Sequence, residues 1–146
     1  MSQDIEGIAK RVRASFERQA LMSLIGARLV SVGRGAVDIE LGFRHDLTQQ
    51  RGVLHAGVLT SILDSACGYA ALTMMPENAD VVSVEFKVNL LRPADGDGFA
   101  AEGRVLKAGR TLTVVRGDAY ASSAQGRTLV ATMLATMMRI KFEDHS

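Results

Sequence analysis

The first twenty residues carry apolar side chains at steps of three and four. Ile5, Ile8, Val12 and Phe16 stand between charged residues, and this spacing places them on one face of a helix. We therefore expect residues 1–20 to form an amphipathic helix whose apolar face packs on the rest of the protein.

Two short apolar runs follow, in the segment ARLVSVGRGAVDIELGF. They are rich in Val, Ile and Leu and flank Gly33-Arg34-Gly35, a pattern that is typical of a β-hairpin. Residues 44–52 are polar and lack a regular period, so we expect a loop there that ends at Gly52.

A long apolar stretch over residues 55–73 predicts a buried helix. Its apolar residues cover nearly every side of a helical wheel, so other elements must surround it. A membrane-spanning helix needs roughly 20 mostly apolar residues. His55 near the start and Asp64 in the middle argue against that interpretation, because an ionised carboxylate facing lipid is costly.

Four extended runs complete the chain and predict a four-stranded meander; they cover residues 81–91, 99–107, 111–121 and 128–140. The order of elements indicates an α+β fold, in which a curved antiparallel sheet wraps around one long central helix. No repeat, low-complexity tract or linker interrupts the pattern, so we expect a single domain over residues 1–146.

The composition of the chain limits the binding partners and the cellular compartment that we expect. Lys and Arg number 17 against 16 Asp and Glu, a net charge of +1, so neither a nucleic acid nor an anionic membrane is expected as the main partner. The single Cys excludes an intrachain disulfide, and the first residues lack the features of a secretory signal, which together favour the cytoplasm. The edges of an open sheet need covering, so self-association is expected as well.

Asp64 is the only formally charged residue between Gly52 and Pro76. Burying a carboxylate without partners costs several kcal/mol, so it must be hydrogen-bonded, protonated or facing a cavity. Thr60 or Ser61, one turn away, could satisfy a purely structural Asp64. The alternative is a carboxylate that acts as a general base or a nucleophile.

The start of the same helix offers a place for a developing negative charge. Its first-turn amides, those of Ala56 and Gly57, lie at the positive end of the helix dipole and would form an oxyanion site worth roughly 3 kcal/mol per donor. His55 stands beside them, although a lone histidine in this position is more often a capping residue. We expect Cys67 to be a small core residue rather than a nucleophile.

We expect no metal and no cofactor. The histidines are His45, His55 and His145, and no two of them have helical or zinc-ligand spacing. Glycine-rich phosphate loops of the Walker or Rossmann kind are absent from the sequence.

The run LTQQRGVLHAGVLTSILDSACGYAA resembles the hotdog-fold thioesterases of the PaaI-like, phenylacetate-pathway type. That family's pattern is an amide residue, a Gly, His-Gly-Gly, and an acidic residue two turns into the helix. Here those places hold Gln49, Gly52, His55-Ala56-Gly57 and Asp64. The downstream strands are similar too, with a polar Ser83, an Arg-Pro-Ala strand end and a Lys-Ala-Gly-Arg turn.

The resemblance implies hydrolysis of acyl-CoA by a homodimer, usually paired into a homotetramer, with two sites per dimer at the subunit interface. In that picture the Ala56 amide, helped by the Gln49 side chain, polarises the thioester carbonyl. The partner's Asp64 activates water or attacks directly. Ser83 helps to place the water, and His55 orients the thioester end of the substrate.

The resemblance also suggests where CoA lies and where this chain departs from the family. Lys107 and Arg110, near a strand turn, would meet the CoA phosphates, although they fit an ordinary solvated turn equally well. Gln49 replaces the usual Asn, with Gln50 beside it as a rival. Ala56 replaces the first Gly of His-Gly-Gly, which keeps the backbone donor but adds a methyl group.

Two other functions fit the same fold. A hotdog hydratase or dehydratase also uses an acidic residue and a His near a helix start, but the Asp-x-Asn-x-x-His hydratase pattern is missing. A non-catalytic acyl-CoA binding protein would need only the groove, without chemistry at Asp64.

Overall fold

The computed structural model describes residues 4–141. A short 3-10 turn spans His45–Leu47. The helices and strands, in chain order, are α1 (Ile5–Glu17), α2 (Ala20–Ile25), β1 (Arg28–Gly33), β2 (Ala36–Gly42), α3 (Ala56–Leu72), β3 (Ala79–Leu90), β4 (Gly98–Ala108), β5 (Leu112–Ser123) and β6 (Gly126–Lys141).

The predicted N-terminal helix corresponds to α1, and a second short helix, α2, follows it. Asp4 caps α1, because its Oδ1 accepts a hydrogen bond of 2.8 Å from the Gly7 amide. Ile8, Val12 and Phe16 are buried as predicted, whereas Ile5 in the first turn remains exposed. The sequence shows no sign of α2, because this helix is six residues long and too short to show a helical period.

The predicted hairpin of β1 and β2 is confirmed, with Gly35 at a φ of 70° in its turn. The predicted four-stranded meander is wrong for its first strand, β3. Within residues 4–141 the sheet order is β1-β2-β4-β5-β6-β3, with all neighbours antiparallel. Only β4, β5 and β6 form the meander, and β3 pairs with β6 at the edge of the sheet. β3 does not pair with β4 because the connection over residues 91–97 leads the chain past the start of α3. There the Leu54 amide donates to the Ala94 carbonyl (3.1 Å).

α3 is surrounded, as its apolar composition predicts. It packs against β2, β3, β4, β5 and β6, so the sheet wraps around it, and Leu59, Ile62, Leu63 and Ala66 are buried. No helix among residues 4–141 is both long and apolar enough to cross a membrane.

Two glycines bring α3 unusually close to the sheet. Gly103 in β4 and Gly117 in β5 lie opposite each other across the ladder. A Cβ atom on Gly103 would overlap the backbone carbonyl of Ala66, and one on Gly117 would lie 2.7 Å from Cys67 Sγ. The backbone of α3 therefore rests directly on β4 at Gly103, and the helix side chains of Cys67 and Leu63 pack against β5 at Gly117.

Arg11 fixes α1 against the far end of α3. Its guanidinium donates to the carbonyl oxygens of Leu72 (2.5 Å), Met75 (3.1 Å) and Pro76 (2.7 Å). A cation at this position complements the negative end of the helix dipole, and it adds a second hydrogen bond to the Leu72 carbonyl, which already accepts from the Met75 amide (3.0 Å). The contact holds α1 along the face of α3 that also carries Asp64.

The glycine contact predicts a large effect from one methyl group. Gly103→Ala should lower the free energy of unfolding by about 2–3 kcal/mol, because α3 must move away from β4 to admit the Cβ atom. Urea unfolding followed by circular dichroism measures this. Gly42→Ala is the matched control, since a Cβ atom there meets nothing within 4 Å and its effect should stay within about 0.5 kcal/mol. Equal stability of the two variants would contradict the close approach.

Candidate active site

Asp64 lies on the face of α3 that meets β3, where it is half-buried. Its Oδ1 accepts a hydrogen bond of 2.6 Å from the hydroxyl of Ser83. Thr60 and Ser61, the expected partners of a structural Asp64, instead donate to backbone carbonyls of their own helix at 2.8 Å. The carboxylate is therefore held from the strand, and its own helix leaves it accessible.

Ser83 reaches Asp64 from an irregular point of β3. The β3–β6 register shifts between Ser83 and Glu85, a β-bulge of the kind that re-aims side chains beside functional sites. Its hydroxyl also lies 3.3 Å from Met137 Sδ. Since sulfur is a weak acceptor, the Ser83 hydroxyl directs its proton into the hydrogen bond to the Asp64 carboxylate.

A cavity of about 180 Å³ opens beside Asp64. Most of its lining side chains are polar, and they come from the end of α1, the residue before α2, the middle of α3, the start of β3, and β6. The lining residues are Ser15, Gln19, Asp64, Ser65, Gly68, Tyr69, Asp80, Val81, Ser83 and Met137.

The start of α3 differs in one respect from the expected pair of oxyanion donors. His55 is the N-cap, and its Nδ1 accepts a hydrogen bond of 2.7 Å from the Gly57 amide. The Gly57 amide is thus occupied, whereas the Ala56 amide has no acceptor among residues 4–141. Because an accepting Nδ1 requires the neutral tautomer with its proton on Nε2, His55 presents an N–H donor at Nε2.

A second cavity, of about 370 Å³, lies against the Ala56 end of α3. Gln49 lines it together with Ala56, while the exposed Gln50 does not. The Gln49 Oε1 atom accepts from the Arg51 amide, which leaves the Nε2 group as a donor. The remaining lining is mostly apolar: Val53, Leu54, Leu59, Leu90, Leu91, Arg92, Pro93 and Ala94.

The two cavities have no lining residue in common. One protomer therefore brings Asp64 and Ser83 together, and separately Gln49 and Ala56, but does not join the two pairs. Lys107 and Arg110 lie exposed at the β4–β5 turn and line neither cavity. Their contact with CoA phosphates remains a prediction.

Several residues of these cavities escaped the sequence analysis. Arg92 is the one charged side chain in the lining of the larger cavity, and its place just after an extended run and before Pro93 could have drawn attention to it. Gln19 and Tyr69 line the smaller cavity, but no local pattern marks them, because their contact joins positions 50 residues apart.

Cys67 is a buried core residue, as predicted. Burial, together with the charges of Asp64 and Asp118, raises the pKa of its thiol to about 12. A thiol that stays protonated at neutral pH is a poor nucleophile. Among residues 4–141 no three His, Cys, Asp or Glu side chains cluster as metal ligands, and His145 lies outside the described residues.

Comparisons with known proteins assign the fold and the family. The thioesterase superfamily model matches residues 51–128, more than half of the chain. Human acyl-coenzyme A thioesterase 13 is 27% identical over 119 residues, which cover 81% of this chain and 83% of the relative.

Solved structures agree. A thioesterase family protein from Silicibacter pomeroyi is 48% identical, with a TM-score of 0.91 over 93% of this chain and 100% of that one. The PaaI protein of the E. coli phenylacetic acid degradation operon has the same fold, with 22% identity and a TM-score of 0.82 over 91% of this chain and 93% of that one. The predicted α+β hotdog fold is thereby confirmed. The chain belongs to the thioesterase superfamily and is a thioester hydrolase.

Proposed function

We propose that the chain hydrolyses acyl-CoA thioesters as a homodimer in the cytoplasm, at sites that combine the start of α3 from one protomer with the partner's Asp64. The observation that carries this proposal is the position of the two cavities at opposite ends of β3. One lies beside Ser83 and the other beside Leu90. The acyl-CoA substrate is inferred from the family and from the likeness to the human acyl-coenzyme A thioesterase.

Distance along α3 supports a site shared between two chains. Asp64 follows Ala56 by eight residues, which is about 12 Å along a helix axis. Catalysis needs the attacking group about 3 Å from the carbonyl carbon and the oxyanion donor about 3 Å from the carbonyl oxygen. One protomer cannot meet both conditions, so a second copy must supply one of the groups.

The free edge of β3 offers the means of pairing. Within residues 4–141 this strand has a neighbour only on its β6 side, and Val84 and Phe86 on it are 54% and 43% exposed. An unpaired apolar edge strand is a template for another strand. Antiparallel pairing of two β3 strands about an axis near Phe86 would bring Ser83 of the partner subunit opposite Leu90 of this chain.

That pairing joins the cavities into one site with a complete set of catalytic groups. The carbonyl oxygen accepts from the Ala56 amide and the Gln49 side chain, which stabilise the charge that develops on it. The partner's Asp64, held by its Ser83, either takes a proton from water or attacks the carbonyl carbon itself. The C–S bond breaks, a C–O bond to oxygen from water replaces it, and the CoA thiolate takes up a proton.

His55 and the exposed cations complete the proposal. The Nε2–H group of His55, fixed by the Gly57 amide on the other side of the ring, orients the thioester end of the substrate. Lys107 and Arg110 contact the CoA phosphates. Their contribution is measurable as the difference in KM between an acyl-CoA and the matching acyl-pantetheine thioester. Pairing of dimers into a tetramer remains an expectation.

Removing the carboxylate should abolish hydrolysis without unfolding the protein. Asp64→Asn should lower kcat by about 10²–10⁴, the range for loss of an acid–base group, in a panel of acyl-CoAs with a thiol-trapping dye. Asp95→Asn, in an exposed loop, is the matched control and should retain activity. Full activity in a folded Asp64→Asn variant would overturn the assignment. Binding without thiol release by the wild type would favour the acyl-CoA binder, and a 2-enoyl product the hydratase.

Removing one backbone donor tests the oxyanion site separately. Ala56 is the first residue of α3, where proline is well tolerated because no helical hydrogen bond uses its N–H. His55 has φ −63° and ψ 134°, angles that suit a residue before proline. Ala56→Pro should therefore keep its stability and lose about 10²–10³ in kcat. Ala56→Gly retains the N–H and should retain activity. Equal kcat values for the two variants would contradict the role of this amide.

A further inference from the structure

Side chains from three parts of the chain form a polar network beside Asp64. The Ser65 hydroxyl donates to Gln19 Oε1 (2.6 Å), and Gln19 Nε2 donates to the Tyr69 hydroxyl (3.4 Å). The Tyr69 hydroxyl also lies 3.1 Å from Ser15 Oγ. All four residues line the smaller cavity. The network thus joins α1, the residue before α2 and α3 around one space.

The network leaves hydrogen-bonding capacity for a guest. Among residues 4–141 the Gln19 side chain uses one of its two N–H groups and one of its two carbonyl lone pairs. Burial raises the pKa of the Tyr69 phenol, so its hydroxyl stays protonated at neutral pH. This hydroxyl accepts from Gln19, and when Ser15 is the donor of their shared bond, the phenol proton can be donated to a guest.

Exposure decides which part of the substrate enters each cavity. The larger cavity has an exposed rim at Leu90, Leu91, Arg92 and Pro93, which suits the pantetheine arm because the CoA nucleotide must remain outside. The smaller cavity is lined by buried and half-buried residues apart from Ser83. With the thioester between the two, the acyl group enters the smaller cavity.

Volume and charge then restrict the acyl group. An engineered cavity of roughly 150 Å³ in another protein holds one benzene molecule, so about 180 Å³ accommodates a short acyl group. A longer chain would have to pass between Ser15 and Asp80 into a cleft lined by charged residues, among them Arg18 and Glu77. Asp80 also lines the cavity itself with Asp64, and two carboxylates disfavour an anionic acyl group.

We propose that Gln19 and Tyr69 are specificity-determining residues that select short acyl groups bearing an uncharged hydroxyl or carbonyl substituent over plain alkyl groups of the same length. They act as the polar end wall of the acyl pocket. The inference rests on the proposed function, since it places the acyl group beside Asp64. It assigns to the N-terminal helices a part in substrate choice in addition to their packing.

The test compares substrates that differ by one oxygen atom. Kinetics with 3-hydroxybutyryl-CoA and butyryl-CoA should give the wild type a kcat/KM ratio of about ten or more, because a site built to bond a hydroxyl rejects the analogue that lacks it. Tyr69→Phe and Gln19→Met remove polar atoms at nearly constant volume and should bring the ratio close to one. Tyr120→Phe, which changes a tyrosine that lines neither cavity, is the matched control and should keep the wild-type ratio.

A second variant tests whether the acyl group occupies this cavity at all. A Cβ atom on Gly68 would meet nothing within 4 Å, and Gly68 lines the cavity. Gly68→Ala should fold at least as well, since glycine inside a helix is unfavourable, and should shift the preference towards acetyl-CoA and away from hexanoyl-CoA.

The outcomes separate the two proposals. A wild-type ratio near one, a ratio unchanged in Tyr69→Phe and Gln19→Met, or an unchanged chain-length profile in Gly68→Ala would overturn the inference and leave acyl-CoA hydrolysis standing. Absence of hydrolysis with every acyl-CoA would overturn the proposed function and the inference together.

Discussion

The contact between α3 and the glycine pair of β4 and β5 is the constraint on which the rest of the structure depends. Gly103 allows the helix backbone to lie directly on β4 at Ala66 and Cys67, and Gly117 makes room on β5 for the side chains of Cys67 and Leu63. Interiors are close-packed, so a helix seated in this way has little freedom to slide or rotate. Its position fixes at once where Asp64 meets Ser83 and where Ala56 meets the loop that carries Gln49.

One rigid helix thus carries two chemically different groups. Its N-terminus presents an amide at Ala56 that has no acceptor within the described residues 4–141, and two turns later Asp64 presents a carboxylate restrained by Ser83. The rigidity that aligns each group also keeps the two residues about 12 Å apart along the helix axis. We infer that dimerisation through β3 is the way to use both on one thioester. The free strand edge would then be part of the catalytic design, and covering it would also remove a site of aggregation.

Local patterns predicted the elements well, because helix period, strand alternation and turn residues act within a few positions. They placed α3 within a residue of its bounds and identified the hairpin at Gly35. The place of β3 beside β6 was missed, because strand pairing depends on the path of residues 91–97, which carries no periodic signal. The overlap at Gly103 was invisible for the same reason, since it joins β4 to a helix far away in the sequence.

In the candidate site, too, local patterns were predictable and contacts between distant parts of the chain were not. Asp64 stood out as a lone charge on an apolar helix, and the first-turn amide of Ala56, with His55 beside it, as the positive end of that helix. The family resemblance supplied Gln49 and Ser83. The bond between His55 and the Gly57 amide is the capping role that a histidine in this position most often has, but the sequence could not decide for it, because the bond depends on a side-chain rotamer. Gln19 and Tyr69 became visible only once α1 and α2 were seen folded over α3.

The most direct test of a site shared between subunits mixes two inactive proteins. Asp64→Ala lacks the carboxylate, and Ala56→Pro lacks the amide donor. If each site takes one group from each chain, a hybrid dimer contains one intact site and one doubly defective site. After unfolding and refolding together, an equal mixture should recover about a quarter of the wild-type activity, since about half of the dimers are hybrids. Recovery no greater than that of the separate variants would contradict the account.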